Sequence, residues 1–300
     1  MKHIEHHTFT GRTDNPDVKE RVHQVISQWS EETPASVPVF IGFRSDEGVR
    51  RNKGRTGAFD GPVKVRQKMA SLPYTEPVYD YGSVVGDEDL EASQEALGEC
   101  VGEVLARDQF PLIIGGGHET LYGHYLGVRN AYPDKRIAVV NFDAHFDLRD
   151  ERPSSGTMFH QILSEDRNID YHVLGIQSSG NTRTLFDTAD ALGVHYAMMD
   201  EVRSTDAYAR TLSKLSEYDA VFGTLCMDSV QQSVAPGTSM PAQNGYTSQE
   251  IHGMVAQLAK LSNLVSFDIS EVAPALDTDD RTSSLAASLF HTFMTERETF

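Results

Sequence analysis

Cysteine and positive charge are scarce in this chain, and long apolar runs are missing. Its 300 residues include two cysteines, Cys100 and Cys226, too few for the disulfide framework of a small secreted domain. Cys100 falls on the apolar stripe of an expected helix, where a cysteine behaves as a small core residue. No apolar run approaches the ~18 residues of a membrane span, and the start, Met1-Lys-His-Ile-Glu-His-His, lacks the apolar segment of a secretory signal. A cytoplasmic protein is therefore expected. Lys and Arg number 26 against 44 Asp and Glu, a net charge of −18. That balance argues against nucleic acid or an anionic membrane as a partner, since both need a positive footprint. Internal repeats, low-complexity tracts and linkers are also absent. With 39% hydrophobic residues the chain can bury one large core, so residues 1–300 are read as one domain.

Short apolar runs do occur, at 37–43, 78–81, 110–114, 137–142, 171–176, 194–198, 219–225 and 264–269, and most gaps between them can hold a helix. This alternation predicts an α/β protein with a parallel sheet of about eight strands. Leu90, Leu97, Val101, Val104 and Leu105 keep helical spacing. Thr247-Ser-Gln-Glu250 has the form of a capping box opening a helix through Leu261, and a closing helix is expected from Thr282.

Three of the runs end in ligand-type residues. Ile137–Phe142 runs into Asp143-Ala-His145-Phe-Asp147, and residues at i, i+2 and i+4 of an extended chain share a face. Two carboxylates and an imidazole would converge there, a donor set suited to manganese, iron or zinc with positions left for water and substrate. The competing reading is a solvated loop in which Asp147 caps the segment after it. Pro111–Ile114 leads into Gly-Gly-Gly-His118, where the glycines allow a tight turn and set His118 at a helix start. Helix capping or packing would equally account for that histidine, and the segment lacks the Gly-Lys-Ser/Thr ending of a phosphate-binding loop. Ala220–Leu225 leads into Cys226-Met-Asp228, again two donors at i and i+2. In open parallel sheets ligands bind beyond the carboxyl ends of the strands, where all three clusters fall. Residues 44–55 add five basic and two acidic side chains after the strand at 37–43. Such a loop either pairs its cations with acidic neighbours or draws in a small anion.

The chain resembles the ureohydrolase family of arginase and agmatinase. The motifs that carry the resemblance are Gly-Gly-Gly-His-Glu at 115–119, Asp-Ala-His-Phe-Asp at 143–147 and Ser-Phe-Asp-Ile-Ser-Glu-Val-Ala-Pro at 266–274. Residues 45–55, 146–149, 155–159 and 174–177 are most similar to the formimidoylglutamase branch, and the similarity spans nearly the whole chain. The resemblance implies a three-layer α/β/α fold with two Mn2+ ions per subunit. One ion would be held by His118, Asp143 and Asp147, the other by His145, Asp143 and Asp228. The family's remaining bridging aspartate falls at Cys226, whose thiolate would favour zinc or iron and put the second ion in question. Cys226 is read either as that ligand or as a small buried residue, with the ligand preferred because its side chain should face the same way as that of Asp228.

The implied reaction is hydrolysis of N-formimidoyl-L-glutamate to L-glutamate and formamide, a step of histidine degradation. A metal-activated hydroxide is required because water is a poor nucleophile at neutral pH, and metal binding can bring its pKa to about 7. Asp147 would pass a proton to the leaving amine and Glu271 would grip the formimino nitrogen. Arg149, Arg152 and Arg55 are candidates for the two substrate carboxylates. In guanidino-cleaving relatives a shuttle histidine lies near the 155–159 segment. Ser155 and Phe159 stand there in this chain, with His160 displaced and read as a packing or surface residue. The alternatives are another ureohydrolase acting on a guanidino acid or agmatine, and a metal-poor regulatory pseudoenzyme. The sequence leaves homo-oligomer formation open.

Overall fold

A computed structural model describes residues 3–300; Met1 and Lys2, within the start read above for an export signal, lie outside the described residues. The strands in chain order are β1 (Ile4–Glu5), β2 (Ile26–Gln28), β3 (Pro38–Arg44), β4 (Val78–Val85), β5 (Phe110–Ile114), β6 (Ile137–Phe142), β7 (Ile169–Ile176), β8 (His195–Met198), β9 (Ala220–Cys226) and β10 (Leu264–Ser270). They form one 10-stranded sheet in the order β1-β4-β3-β5-β10-β9-β6-β7-β8, with β2 also on β4. All pairings are parallel except that of β1 with β4. All eight expected strands form. The two beyond that number, β1 and β2, are two and three residues long, too short to leave a periodic signal, and exist by pairing with β4.

The core strands are apolar on both faces, as a sheet covered by helices on each side requires. Phe110, Leu112 and Ile114 of β5 point into one core while Ile113 points into the other, and β6 divides Ala138, Val140 and Phe142 from Ile137 and Val139 in the same way. The Leu90–Leu105 and Thr120–Ala131 helices cover one face, and the Ser248–Ala259 and Arg281–Glu296 helices the other. This is the α/β/α layering expected. Cys100 is fully buried in the first of these layers. Thr247 and Glu250 form the reciprocal capping box, which satisfies donors that a helix start otherwise leaves unpaired.

The strand order has one consequence for chemistry. β5, β10, β9 and β6 lie side by side at the centre of the sheet, so the segments that follow them, with His118, Glu271, Cys226 with Asp228, and Asp143 to Asp147, open onto one crevice. From β3 the chain crosses to β4 on one side and from its neighbour β5 to β6 on the other, and such a switch in direction leaves room for a ligand.

Candidate metal centre

Asp143 sits at the middle of this crevice, fully buried. Its Oδ1 accepts from the backbone N–H of His145 at 2.9 Å and its Oδ2 from Asn141 Nδ2 at 3.1 Å. His118 Nδ1 lies 3.2 Å from Asp143 Oδ2 and 2.9 Å from Asp147 Oδ2. His145 Nδ1 lies 3.5 Å from Asp143 Oδ1 and 3.2 Å from Asp228 Oδ2. Two donor sets result, one of His118, Asp143 and Cys226 and one of Asp143, His145 and Asp228, each with its donor atoms within 4.8 Å of one another. Asp143 belongs to both, and Asp147 joins the first through His118. All six residues expected from the sequence as ligands are thus brought together.

The electrostatics suit a cation. Burial works to raise Asp143, but hydrogen bonds from His118 and His145 outweigh it and hold the carboxyl well below the usual range. Asp147 is pushed up to about 6 by burial and the charge on Asp143. Burial alone would lower both imidazoles, yet the hydrogen bonds of His118 to Asp143 and Asp147, and for His145 the charge of Asp228 with its bond to Asp143, lift them well above the normal value. Burial and the surrounding carboxylates push the Cys226 thiol up. Buried carboxylates need positive partners, and the buried Asp228 Oδ1 has no hydrogen-bond partner. A donor set of carboxylates and imidazoles with an orphaned carboxylate oxygen fits divalent manganese; the sulfur of Cys226 is the softer exception.

Glu271 follows β10 at φ +67, a left-handed conformation that costs a non-glycine residue energy. That turn carries its carboxylate under the metal-ligand turn, where Oε1 accepts from the His118 N–H at 3.0 Å. Oε2 is buried without a partner. Burial, with the charges of Asp228 and Glu119, pushes the carboxyl up to about 8.

The three glycines before His118 act through space and not through dihedrals. None of Gly115, Gly116 and Gly117 has positive φ, whereas a Cβ on Gly116 would lie 1.8 Å from the Ser45 carbonyl oxygen. Glu119, the next residue after His118, is fully buried beneath the 45–48 backbone, accepting from Gly48 N–H at 2.9 Å and Ser45 Oγ at 3.2 Å.

The crevice encloses about 440 Å3, lined by His118, His145, Asp147, Cys226, Asp228 and Glu271 and, toward the outside, by Asn52, Lys53, Arg149, Ser155 and Met240. Arg149 Nη1 donates to Asn52 Oδ1 at 3.2 Å, and Asn52 Nδ2 to Ser155 Oγ at 3.3 Å. The basic segment 44–55 is in part helical and not all loop, and three of its cations follow the ion-pairing alternative. Glu47–Arg51 is helical, Arg50 and Arg51 pair with Glu47, Arg51 also with Glu91, and Arg44 with Glu5 and Asp60. Arg55, a candidate for substrate binding, instead donates to the carbonyls of Ser239 and Thr238, each at 2.9 Å. Arg152 is exposed and does not line the crevice. Of the three expected arginines only Arg149 faces the cavity, and Asn52 and Lys53 join it. His160 stays apart, 3.7 Å from Asp150. Phe159 stacks on Tyr171 at 3.6 Å, so neither residue can shuttle a proton in the crevice. A larger groove of about 1000 Å3, between Val37, Pro77 and Phe300, lies at the amino ends of the strands, away from these donors.

Residues 37–295 match the profile of the Arginase family. The chain is 42% identical to a formimidoylglutamase of Rhodococcus opacus, over 96% of this chain and 95% of that protein. Its fold superposes on the formimidoylglutamase of Bacillus subtilis with a TM-score of 0.86 at 25% identity, over 95% of this chain and 94% of that one. A formiminoglutamase of Trypanosoma cruzi solved with Mn2+ gives 0.84 at 29% identity, over 93% and 98% of the two chains. Likeness of this extent in both sequence and architecture makes the chain a member of the arginase family.

Proposed function

We propose that the protein hydrolyses N-formimidoyl-L-glutamate with water to L-glutamate and formamide, a step of histidine degradation carried out in the cytoplasm by residues 1–300 as one domain. Membership of the arginase family and close similarity to formimidoylglutamases make it a hydrolase of carbon–nitrogen bonds. Among the described residues no helix is long and apolar enough to cross a membrane.

The observation that carries the substrate assignment is the polarity of the crevice. Its floor holds Asp147, Asp228 and Glu271, with Asp143 buried against His118 and His145, while Lys53, Arg149 and the amide of Asn52 stand at its outer wall. The substrate has the matching polarity, a cationic formimino group at one end and two carboxylates at the other. Agmatine, cationic at both ends, would meet Arg149 and Lys53 with like charge.

His118, Asp143, Asp147, His145, Asp228 and Cys226 would hold two Mn2+ ions. The ions, when bound, would supply water activated as a nucleophile at neutral pH. Glu271 Oε2 receives the formimino N–H, holding the reacting carbon over the floor and favouring its cationic form. Asp147 takes a proton from the attacking water and gives it to the leaving amine, which departs as glutamate. Arg149 and Asn52 orient the carboxylates so that this geometry recurs at each turnover.

The test is a panel of N-formimidoyl-L-glutamate, arginine, agmatine and guanidino acids offered to the manganese-supplemented enzyme, scored for formamide and for urea. Formamide with stoichiometric glutamate is expected from the first substrate alone. Urea release at a comparable rate would overturn the assignment.

A further inference from the structure

We propose that Thr224 and Asp268 are positioning residues for the metal centre: Asp268, acting through the Thr224 hydroxyl, fixes His118 in the tautomer and orientation needed to bind metal through Nδ1. The inference rests on the manganese-hydrolase reading above.

Asp268 and His124 are fully buried, and neither touches the crevice or enters the reaction as described. A buried carboxylate is retained only where its lone pairs are satisfied. Three donors converge on Asp268: Thr224 Oγ1 at 2.8 Å, Ser270 Oγ at 2.9 Å and His124 Nδ1 at 2.8 Å. On its far side the His124 ring meets Ser266 Oγ at 2.6 Å, so the carboxylate is clamped by a ring that is itself anchored.

The Thr224 hydroxyl stands between this carboxylate and the metal site. His118 Nε2 is 3.1 Å from Thr224 Oγ1, while His118 Nδ1 faces Asp143 and Asp147. A hydroxyl has a single proton, and an ionised carboxylate only accepts. The Thr224 proton therefore goes to Asp268, and the Thr224 oxygen is left to accept from His118 Nε2–H. A neutral imidazole protonated at Nε2 presents its lone pair at Nδ1, the atom turned toward the donor cluster. The register of the sheet builds this in, because Asp268 of β10 pairs directly with Thr224 of β9. Outer partners of this kind typically change metal affinity by ~10–100-fold when removed.

The experiment compares Mn2+ binding to the metal-freed full-length protein, by calorimetric titration, in the wild type, Thr224→Val and Thr224→Ser, with melting temperatures of the same metal-free samples. Valine keeps the shape and removes the hydroxyl. Binding weakened by ~10–100-fold at a near wild-type melting temperature, and restored by serine, is expected. A purely structural role would lower the melting temperature and leave Mn2+ affinity in place. Valine-variant affinity within about twofold of wild type, against that ~10–100-fold expectation, overturns the proposal and leaves the hydrolase reading standing. A wild type that binds no Mn2+ overturns both. If the valine variant does not fold, Thr224→Ala is titrated instead, and loss of folding there too would make Thr224 structural and defeat the inference.

Discussion

A thiol among four carboxyl groups is an unusual neighbour. Cys226 is 2% exposed, and burial together with Asp143, Asp228, Glu271 and Asp147 keeps it protonated. A divalent cation would favour its thiolate, yet sulfur is a softer donor than the carboxylates around it. Cys226→Asp separates the two readings of this residue. If Cys226 is a ligand or replaces one, the variant should bind Mn2+ more tightly and approach two ions per chain. If it is inert filling, the change buries an unpaired carboxylate, typically at several kcal/mol, and should lower the melting temperature with metal content unmoved. Metal stoichiometry and melting temperature from one preparation decide between them. Arg149 poses a simpler question. Its guanidinium faces the crevice and holds Asn52, so Arg149→Ala should raise KM far more than it lowers kcat if the substrate carboxylate is gripped equally in ground and transition states. Steady-state kinetics indistinguishable from wild type would return Arg149 to the solvated surface.

Strand ends could be read directly, because an apolar run that stops at donor residues marks where a buried parallel strand opens onto a crevice. The donors do not share a strand face: 143–147 lie past β6, with Asp147 left-handed at φ +52, and Asp228 sits in a short 3-10 turn at Met227–Ser229. These turns and the order of β5, β10, β9 and β6 bring the donors together, but Asp143, His145, Asp147, Cys226 and Asp228 were legible as donors at the strand ends. Residues assembled by packing between elements were not. Asn52, Lys53 and Arg55 share one basic segment, and only the helix at Glu47–Arg51 decides that the first two face the crevice while Arg55 fastens the 238–239 backbone. One signal was available for Asp268: Ser266, Asp268 and Ser270 alternate with Phe267 and Ile269 along a buried strand, and a polar face inside a core has to be satisfied by something. Glu119 shows how one side chain can govern an element. Its carboxylate holds the Gly48 N–H and the Ser45 hydroxyl, and Gly48 and Gly117 leave the space it occupies, since a Cβ on either would lie within 2.6 Å of it. Glu119→Ala should cost ~1–3 kcal/mol through the unsatisfied N–H, and should raise KM by loosening the Glu47–Arg51 helix and, with it, Asn52 and Lys53 just beyond its end. Faster hydrogen exchange across residues 45–53 would accompany it, and Glu119→Gln, which keeps an acceptor, should stay closer to wild type. An alanine variant with unchanged melting temperature and exchange would leave the segment to hold itself.

At the scale of the whole molecule, one part of the response to acid comes from groups far from the crevice. His172 of β7 is 2% exposed, stacked at 4.6 Å on His195 of the edge strand β8, and its Nε2 lies 3.2 Å from the Tyr218 hydroxyl. Around it stand Lys214, 3.2 Å from His195 Nε2, and Asp170, which receives the Tyr218 hydroxyl and Arg136, each at 2.8 Å. Burial first, then the charges of His195 and Lys214, pulls His172 down to about 3. In the unfolded chain a histidine titrates near ~6.5. Between those values the unfolded state binds the extra proton, so stability rises with pH across the interval and is lost as pH falls from about 6.5 toward 3. The full gap amounts to several kcal/mol, a large share of the ~5–15 kcal/mol of a typical domain. Glu250 acts in a lower window: its hydrogen bond to Arg203 pulls it to about 2, so its contribution is intact above its unfolded value of ~4.3 and fades only below that. Asp147 and Glu271, raised by burial to about 6 and about 8, act with the opposite sign over the same interval, so the His172 share is read from denaturant unfolding at a series of pH values as a difference between wild type and variant. His172→Phe, which cannot take up the proton, should lower the slope of stability against pH between pH 4.5 and pH 6 by up to one proton's worth while leaving the fall below pH 4 in place. Equal slopes for the two proteins in that upper interval would remove His172 from the account of acid sensitivity.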